Sequence, residues 1–105
     1  MQSLTIIIAD DHPLFRGALR QAVASIDGEQ KIVEAGDFDA ARRAAESHAD
    51  ADLMLLDLAM PGVSGFSGLM ALRAEFAHLP IVIISATDDA VTIRRALELG
   101  ASGFI

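Results

Sequence analysis

The 105-residue chain is organised around the stretch Leu53-Met-Leu-Leu-Asp-Leu-Ala-Met-Pro-Gly62. Its first residues carry no polar group on either face, which is typical of a strand buried on both sides in a parallel sheet. Pro61 lacks a backbone donor and Gly62 permits turn geometries that other residues resist, so the strand has to end before them. The stretch therefore predicts a buried strand that delivers one carboxylate, Asp57, into a turn.

Short apolar runs alternate with helical periodicity along the rest of the chain. Strands are predicted at residues 4–9, 32–35, 53–56 and 81–84, and residues 101–105 look like the start of a fifth. Helices are predicted at 13–26, 38–48, 66–76 and 88–99, with Pro13 in a first turn, Asp37 and Ser64 as N-caps and Gly100 as a stop. The predicted apolar stripe of the first helix consists of Leu14, Phe15, Ala18, Leu19, Ala22, Val23 and Ile26.

Repeated alternation of strand and helix predicts an α/β fold. The expected architecture is a doubly wound parallel sheet of five strands with helices on both faces. Neither an interdomain linker nor an internal repeat is visible, so we interpret residues 1–105 as one domain.

Composition narrows the classes of function. A formal charge of −7 repels a phosphate backbone, so this segment alone is not expected to bind nucleic acid. Because the chain has no cysteine, any metal has to be held by oxygen or histidine ligands. The N-terminal apolar run is too short for a signal peptide or a membrane span, which predicts a cytoplasmic protein with no membrane partner.

Polar residues follow three of the predicted strands at their carboxyl ends. Asp10 and Asp11 follow the first strand, Asp57 ends the third, and Ser85 and Ala86 follow the fourth. Ligands bind at this edge in open α/β sheets. Converging carboxylates repel one another, which disfavours full ionisation or demands a counter-cation. With oxygen ligands only, we expect that cation to be Mg²⁺.

A carboxylate beside Mg²⁺ can act as a nucleophile toward a phosphoryl group. Asp57 is the candidate nucleophile, the Ser85 hydroxyl could donate to a phosphoryl oxygen, and the small Ala86 leaves room for the group. Any one acid after a strand is more often a helix cap or turn former, and Ser85 alone could cap the fourth helix. The coincidence of all these residues at one edge favours the chemical interpretation.

These motifs resemble the receiver domain of two-component response regulators. The resemblance covers nearly the whole chain and rests on Asp10-Asp11, on Asp57 followed by Leu-Ala-Met-Pro-Gly, on Ser85-Ala86, and on Gly100-Ala-Ser-Gly-Phe. It implies the flavodoxin-like, CheY-like form of the doubly wound sheet. Residues 9–20, Ala-Asp-Asp-His-Pro-Leu-Phe-Arg-Gly-Ala-Leu-Arg, are further similar to receivers that precede a LuxR-type helix-turn-helix DNA-binding domain.

The resemblance implies a role for each site residue. Asp57 would accept a phosphoryl group from the phosphohistidine of a sensor histidine kinase. Asp11, Asp57 and the backbone carbonyl of Ala59 would ligate Mg²⁺, while Asp10 would act largely through water. The domain would then be a phosphoacceptor switch whose only chemistry is its own phosphorylation and dephosphorylation.

The resemblance also implies how the signal would be transmitted. Ser85 would move toward the phosphoryl group and the side chain of Phe104, at the position of the switch aromatic, would follow. The expected outcome is homodimerisation and control of transcription through a DNA-binding domain beyond these residues. The family places a lysine at the end of strand five, where this sequence stops at Ile105. We therefore expect the chain to be part of a longer polypeptide, without its fifth helix.

Two other classes of function compete with this interpretation. A degenerate receiver would act as an interaction module without phosphorylation, which the missing lysine would favour if the short end is natural. A phosphohydrolase with an aspartyl nucleophile would carry a second acid two residues after Asp57, where this chain has Ala59.

Three further polar residues each fit two different roles. His12 could ligate a metal, but without a second histidine nearby a role at the start of the helix is favoured. Arg16 and Arg20 fit either a kinase contact or a solvated helix face.

Overall fold

The structure is a computed structural model that describes residues 4–25, 30–58, 60, 66–84 and 90–104, with the backbone alone described at Phe104. Strands and helices alternate throughout. The strands are β1 (Leu4–Ala9), β2 (Gln30–Ala35), β3 (Leu53–Asp57), β4 (Ile81–Ile84) and β5 (Gly103–Phe104). The helices are α1 (Pro13–Ala24), α2 (Phe38–Ser47), α3 (Phe66–Glu75) and α4 (Ala90–Glu98).

The five strands form one parallel sheet in the order β2-β1-β3-β4-β5. The chain leaves β1 toward β2 and returns past β1 to β3, so the strand order reverses between β1 and β3. Such a reversal opens a crevice at the carboxyl edge of a parallel sheet. The order and the parallel pairing confirm the predicted flavodoxin-like architecture.

Both faces of the sheet are covered by apolar side chains, which explains why the strands are apolar without alternation. One face packs against α2, α3 and α4 through fully buried residues that include Ile7, Met54 and Leu72. The other face packs against α1 through Ile8 and Leu55 among others. The two-sided burial predicted for residues 53–56 is confirmed, with Met54, Leu55 and Leu56 buried.

Two helix ends follow the predicted local chemistry. Asp37 is the N-cap of α2, and its Oδ1 accepts a hydrogen bond of 2.7 Å from the backbone N–H of Ala40. Gly100 follows α4 with φ of +104°, a conformation that costs a residue with a Cβ far more than glycine. The predicted cap Ser64 and the predicted helix residues Ile26, Asp88 and Asp89 lie outside the described residues.

The predicted apolar stripe of α1 is wrong over much of its width, because four of its residues are exposed: Leu14, Phe15, Ala18 and Ala22. Val23 is buried and Leu19 packs on the sheet, but Leu14 is 92% exposed and Phe15 is 44% exposed. At about 100° of rotation per residue, Leu14 lies roughly 180° from Val23 around the helix. The buried side of α1 therefore lies in the direction of Arg16, and it is narrower than the predicted stripe. Strand β2 also begins two residues before its predicted start.

Candidate functional site

The site is built where β1 and β3 end side by side. Ala9 pairs with Leu56 in the parallel register, so Asp10 and Asp57 occupy neighbouring positions at the carboxyl edge. Asp11 and His12 then carry the chain to the first turn of α1, where Pro13 is the first helical residue. The sheet register thus brings together the three acids that the sequence pattern singled out.

The two acids after β1 have different surroundings. Asp10 is only 1% exposed, and its Oδ1 accepts a 2.7 Å hydrogen bond from the backbone N–H of His12. The backbone N–H of Asp10 donates to Ala35 O at 3.0 Å, which continues the β1–β2 pairing by one residue. Asp11 Oδ1 is buried and accepts no hydrogen bond from the part of the chain that the structure describes. A buried carboxylate oxygen without a donor is costly unless a cation compensates it.

The side chain of His12 faces both acids. Its Nδ1 lies 3.0 Å from Asp11 Oδ1 and 3.7 Å from Asp10 Oδ1, although 72% of the side chain is exposed. Asp10, Asp11, His12 and Asp57 each offer one potential ligand atom, and these atoms all lie within 4.8 Å of one another. The sequence had allowed His12 as a metal ligand but favoured a role at the start of the helix.

These residues fit a small divalent cation. Three carboxylates supply the hard oxygen ligands that Mg²⁺ prefers. Asp11 Oδ1, which is buried and makes no hydrogen bond within the described residues, is an atom that such an ion would satisfy. The acidic cluster expected from the sequence is therefore formed, and Asp10, Asp11 and Asp57 supply its carboxylate oxygens.

Arg16 supports the site in a way that the sequence did not reveal. Its Nη1 donates a 2.8 Å hydrogen bond to the backbone carbonyl of Asp10, and its Nε donates to Glu34 Oε1 at 2.8 Å. Arg20 Nη1 donates to the other oxygen of Glu34 at 2.7 Å. The sequence contains one indication of this pairing, since Glu34 is the one charged residue within the predicted strand 32–35.

The two arginines change the acidity of Glu34. The hydrogen bond from Arg16 lowers the pKa of this carboxyl below its ordinary value of 4.5, partial burial opposes the shift, and the hydrogen bond and charge of Arg20 lower the pKa further. Glu34 is thus held as a carboxylate that fixes Arg16 beside the carbonyl of Asp10.

Several predicted site residues are not placed by the structure. Ser85, Ala86 and the carbonyl of Ala59 lie outside the described residues. Phe104 is described for its backbone alone, which pairs with Ile83 in β5, next to β4. The roles predicted for these four residues stay predictions.

The chain matches the response regulator receiver domain family over residues 6–105. The fold, the strand order and the paired acids at the carboxyl edge agree with that match, and the chain belongs to this family of two-component receiver domains.

Curated relatives are longer than this chain and include a response regulator protein. The chain is 44% identical over 100 residues to the glycerol metabolism activator of Pseudomonas putida, which covers 95% of this chain and 45% of that protein. It is 36% identical over 100 residues to the nitrate/nitrite response regulator protein NarP of Escherichia coli (strain K12), covering 95% of this chain and 46% of that protein. The chain therefore spans about half the length of the curated relatives it matches.

Solved structures show the same fold. The signal receiver domain of NarL from Mycobacterium tuberculosis superposes with a TM-score of 0.87 at 34% identity, covering 99% of this chain and 83% of that one. A chain of the CheX-CheY-BeF3-Mg²⁺ complex from Borrelia burgdorferi gives a TM-score of 0.89 at 26% identity, covering 97% of this chain and 76% of that one. None of the helices within the described ranges is long and apolar enough to cross a membrane.

Proposed function

We propose that this receiver domain accepts a phosphoryl group on Asp57 in a Mg²⁺-dependent reaction. The observation that carries the proposal is the convergence of Asp10, Asp11 and Asp57 at the β1–β3 reversal. The buried Asp11 Oδ1 makes no hydrogen bond within the described residues, and its nitrogen neighbour there is His12 Nδ1 at 3.0 Å. The chain of similar fold in the CheX-CheY-BeF3-Mg²⁺ complex supports it, since that complex contains both Mg²⁺ and BeF3. The donor would be the phosphohistidine of a sensor histidine kinase.

The transfer step follows from the chemistry of a carboxylate nucleophile. An oxygen of Asp57 attacks the phosphorus, an O–P bond forms, and the N–P bond of the phosphohistidine breaks. The imidazole leaves with the electron pair of that bond and takes up a proton. The phosphoryl group is later removed by hydrolysis, in which water attacks the phosphorus and the Asp57 carboxylate is released with inorganic phosphate.

The cation would be held by the residues that converge at the edge. Asp11, Asp57 and the backbone carbonyl of Ala59 are the proposed ligands, and Asp10 acts through water. The chemistry that Mg²⁺ supplies when bound is neutralisation of charge on the phosphoryl oxygens. Asp10 is fixed for its role by the backbone N–H of His12 and by Arg16, which holds its carbonyl.

We further propose that phosphorylation is read out as a change of conformation. Ser85 would move toward the phosphoryl group and Phe104 would respond, which would lead to a homodimer and to control of transcription. DNA would be bound by a separate domain, since the chain of −7 charge repels a phosphate backbone. The domain would act in the cytoplasm as a switch and not as a metabolic enzyme.

The experiment compares phosphorylation of three proteins. Wild type, Asp57→Asn and Asp39→Asn are incubated with Mg²⁺ and acetyl phosphate, with and without a chelator. Asp39→Asn is the matched control, because it removes the same charge from an exposed residue of α2 whose side chain pairs with Arg43. We expect an acid-stable, base-labile adduct on wild type and Asp39→Asn, which the chelator abolishes.

Two outcomes would contradict the proposal. Absence of an adduct on folded wild-type protein would favour a receiver that acts without phosphorylation. An adduct that survives Asp57→Asn would move the phosphorylated site to another residue.

A further inference from the structure

Within the described residues, the side chain of His12 contacts the two acids after β1 and does not cap the helix. The start of α1 is capped by backbone groups: the N–H of His12 donates to Asp10 Oδ1 at 2.7 Å, and the carbonyl of His12 accepts from Arg16 N at 2.8 Å. The imidazole makes no capping hydrogen bond and 72% of the side chain is exposed. A residue needed only to begin the helix would not have to place its ring against the acids.

The distance between His12 and Asp11 matches the spacing of neighbouring ligands on a metal ion. Adjacent ligand atoms in an octahedral shell of radius about 2.1 Å lie about 3.0 Å apart, and opposite ones about 4.2 Å apart. His12 Nδ1 lies 3.0 Å from Asp11 Oδ1, as neighbouring ligands would. The ligand nitrogen of His12 and the ligand oxygens of Asp11 and Asp57 lie within 4.8 Å of one another, so only a small closure would bring these three atoms onto one ion.

We propose that His12 is a fourth protein ligand of this cation site and that its nitrogen shifts the site's preference from Mg²⁺ toward borderline transition-metal ions such as Co²⁺ and Ni²⁺. The proposal rests on the cation site of the proposed function. Imidazole suits Co²⁺, Ni²⁺ and Zn²⁺, whereas Mg²⁺ prefers oxygen and keeps several waters. The three carboxylates alone would accept either class of ion, so the histidine is the group that discriminates between them.

A competing role for His12 makes the opposite prediction. If the imidazole only sits beside Asp11 where a metal ion would bind, the ion has to displace the ring in order to bind. Removing the ring would then tighten binding of every divalent ion. If the ring is a ligand, its removal weakens the binding of Co²⁺ and Ni²⁺ and has little effect on Mg²⁺.

The first measurement is the affinity of the tag-free protein for Mg²⁺, Co²⁺ and Ni²⁺ by titration calorimetry. Wild type is compared with His12→Ala and with His78→Ala, which removes an exposed histidine outside the site. Loss of a metal-bound or metal-orienting histidine commonly costs about tenfold or more in affinity. We therefore expect His12→Ala to weaken Co²⁺ and Ni²⁺ binding by at least about tenfold, to change Mg²⁺ affinity by less than about threefold, and His78→Ala to change neither.

The second measurement detects the nitrogen directly. Pulsed electron paramagnetic resonance of bound Mn²⁺ should show coupling to a ¹⁴N nucleus in wild type and His78→Ala, and no such coupling in His12→Ala. Tighter binding of all ions by His12→Ala, or an unchanged ratio of Co²⁺ to Mg²⁺ affinity, would overturn the proposal and leave the cation site intact. Absence of divalent-cation binding by the wild-type protein would overturn the cation site itself, and the proposed function with it.

Discussion

Replacing Arg16 should destabilise the domain much more than replacing Arg20, although both side chains bind Glu34. Arg16 is 23% exposed and also donates a partly buried hydrogen bond to the backbone carbonyl of Asp10. Arg20 is 50% exposed and, within the described residues, hydrogen-bonds to Glu34 alone. Because both variants to alanine remove one positive charge, their difference reports on the bond to the carbonyl of Asp10 and on the deeper burial of Arg16.

The expected size follows from the exposure of each contact. An exposed ion pair contributes about 0.5 kcal/mol, which is the whole effect expected for Arg20→Ala. A hydrogen bond from a charged group contributes about 1.5–3 kcal/mol, so Arg16→Ala should cost about 2–3 kcal/mol in the free energy of unfolding. For a domain of this size, a difference of about 2 kcal/mol lowers Tm by about 8–16 °C.

The assay is urea unfolding of both variants beside wild type, followed by the same series with saturating Mg²⁺. Because Arg16 holds the backbone directly before Asp11, the stabilisation by Mg²⁺ should shrink in Arg16→Ala and stay unchanged in Arg20→Ala. Equal destabilisation by the two substitutions would refute the reasoning, since the bond to the Asp10 carbonyl would then contribute nothing.

Three further predictions concern single residues. The pKa of Glu34 is lowered in the folded state, so its contribution to stability is present above pH 4.5 and is lost as the pH falls through the folded-state pKa. In urea unfolding at a series of pH values, Glu34→Gln should therefore lose less stability on the acid side than wild type does. Asp37→Ala should cost about 1 kcal/mol in urea unfolding, because the N–H of Ala40 loses its partner, and an unchanged midpoint would contradict the cap. Gly100→Ala should cost about 1–3 kcal/mol, because φ is +104° and the added Cβ would lie 3.0 Å from Arg73 Nε; a thermal melt equal to wild type would contradict this strain.

The strands were predictable because their signal is local. A run such as Ile6-Ile-Ile8 is buried on both faces, and no helix or exposed strand fits that composition. The placement of Asp10 and Asp57 at one edge also followed, since parallel strands share their carboxyl ends. What the structure added is the register, in which Ala9 pairs with Leu56 and sets the two acids side by side.

The contacts of α1 were not predictable from periodicity. The sequence shows which residues are apolar but not which edge of a wide stripe meets the sheet, so Leu14 was expected inside and is 92% exposed. The pairing of Arg16 with Glu34 joins two elements across 18 residues, and no helix period encodes such a distance. The direction of the His12 ring toward Asp11 likewise depends on side-chain conformation and not on spacing.

The central claim is that Asp57 carries the phosphoryl group. Protein treated with acetyl phosphate and Mg²⁺ can be reduced with borohydride, which converts an aspartyl phosphate to homoserine, and then digested and sequenced by mass spectrometry. We predict homoserine at position 57, in the peptide that contains the end of β3, and none when Mg²⁺ is chelated before phosphorylation. Homoserine at position 10 or 11, or at no aspartate of the chain, would contradict the account.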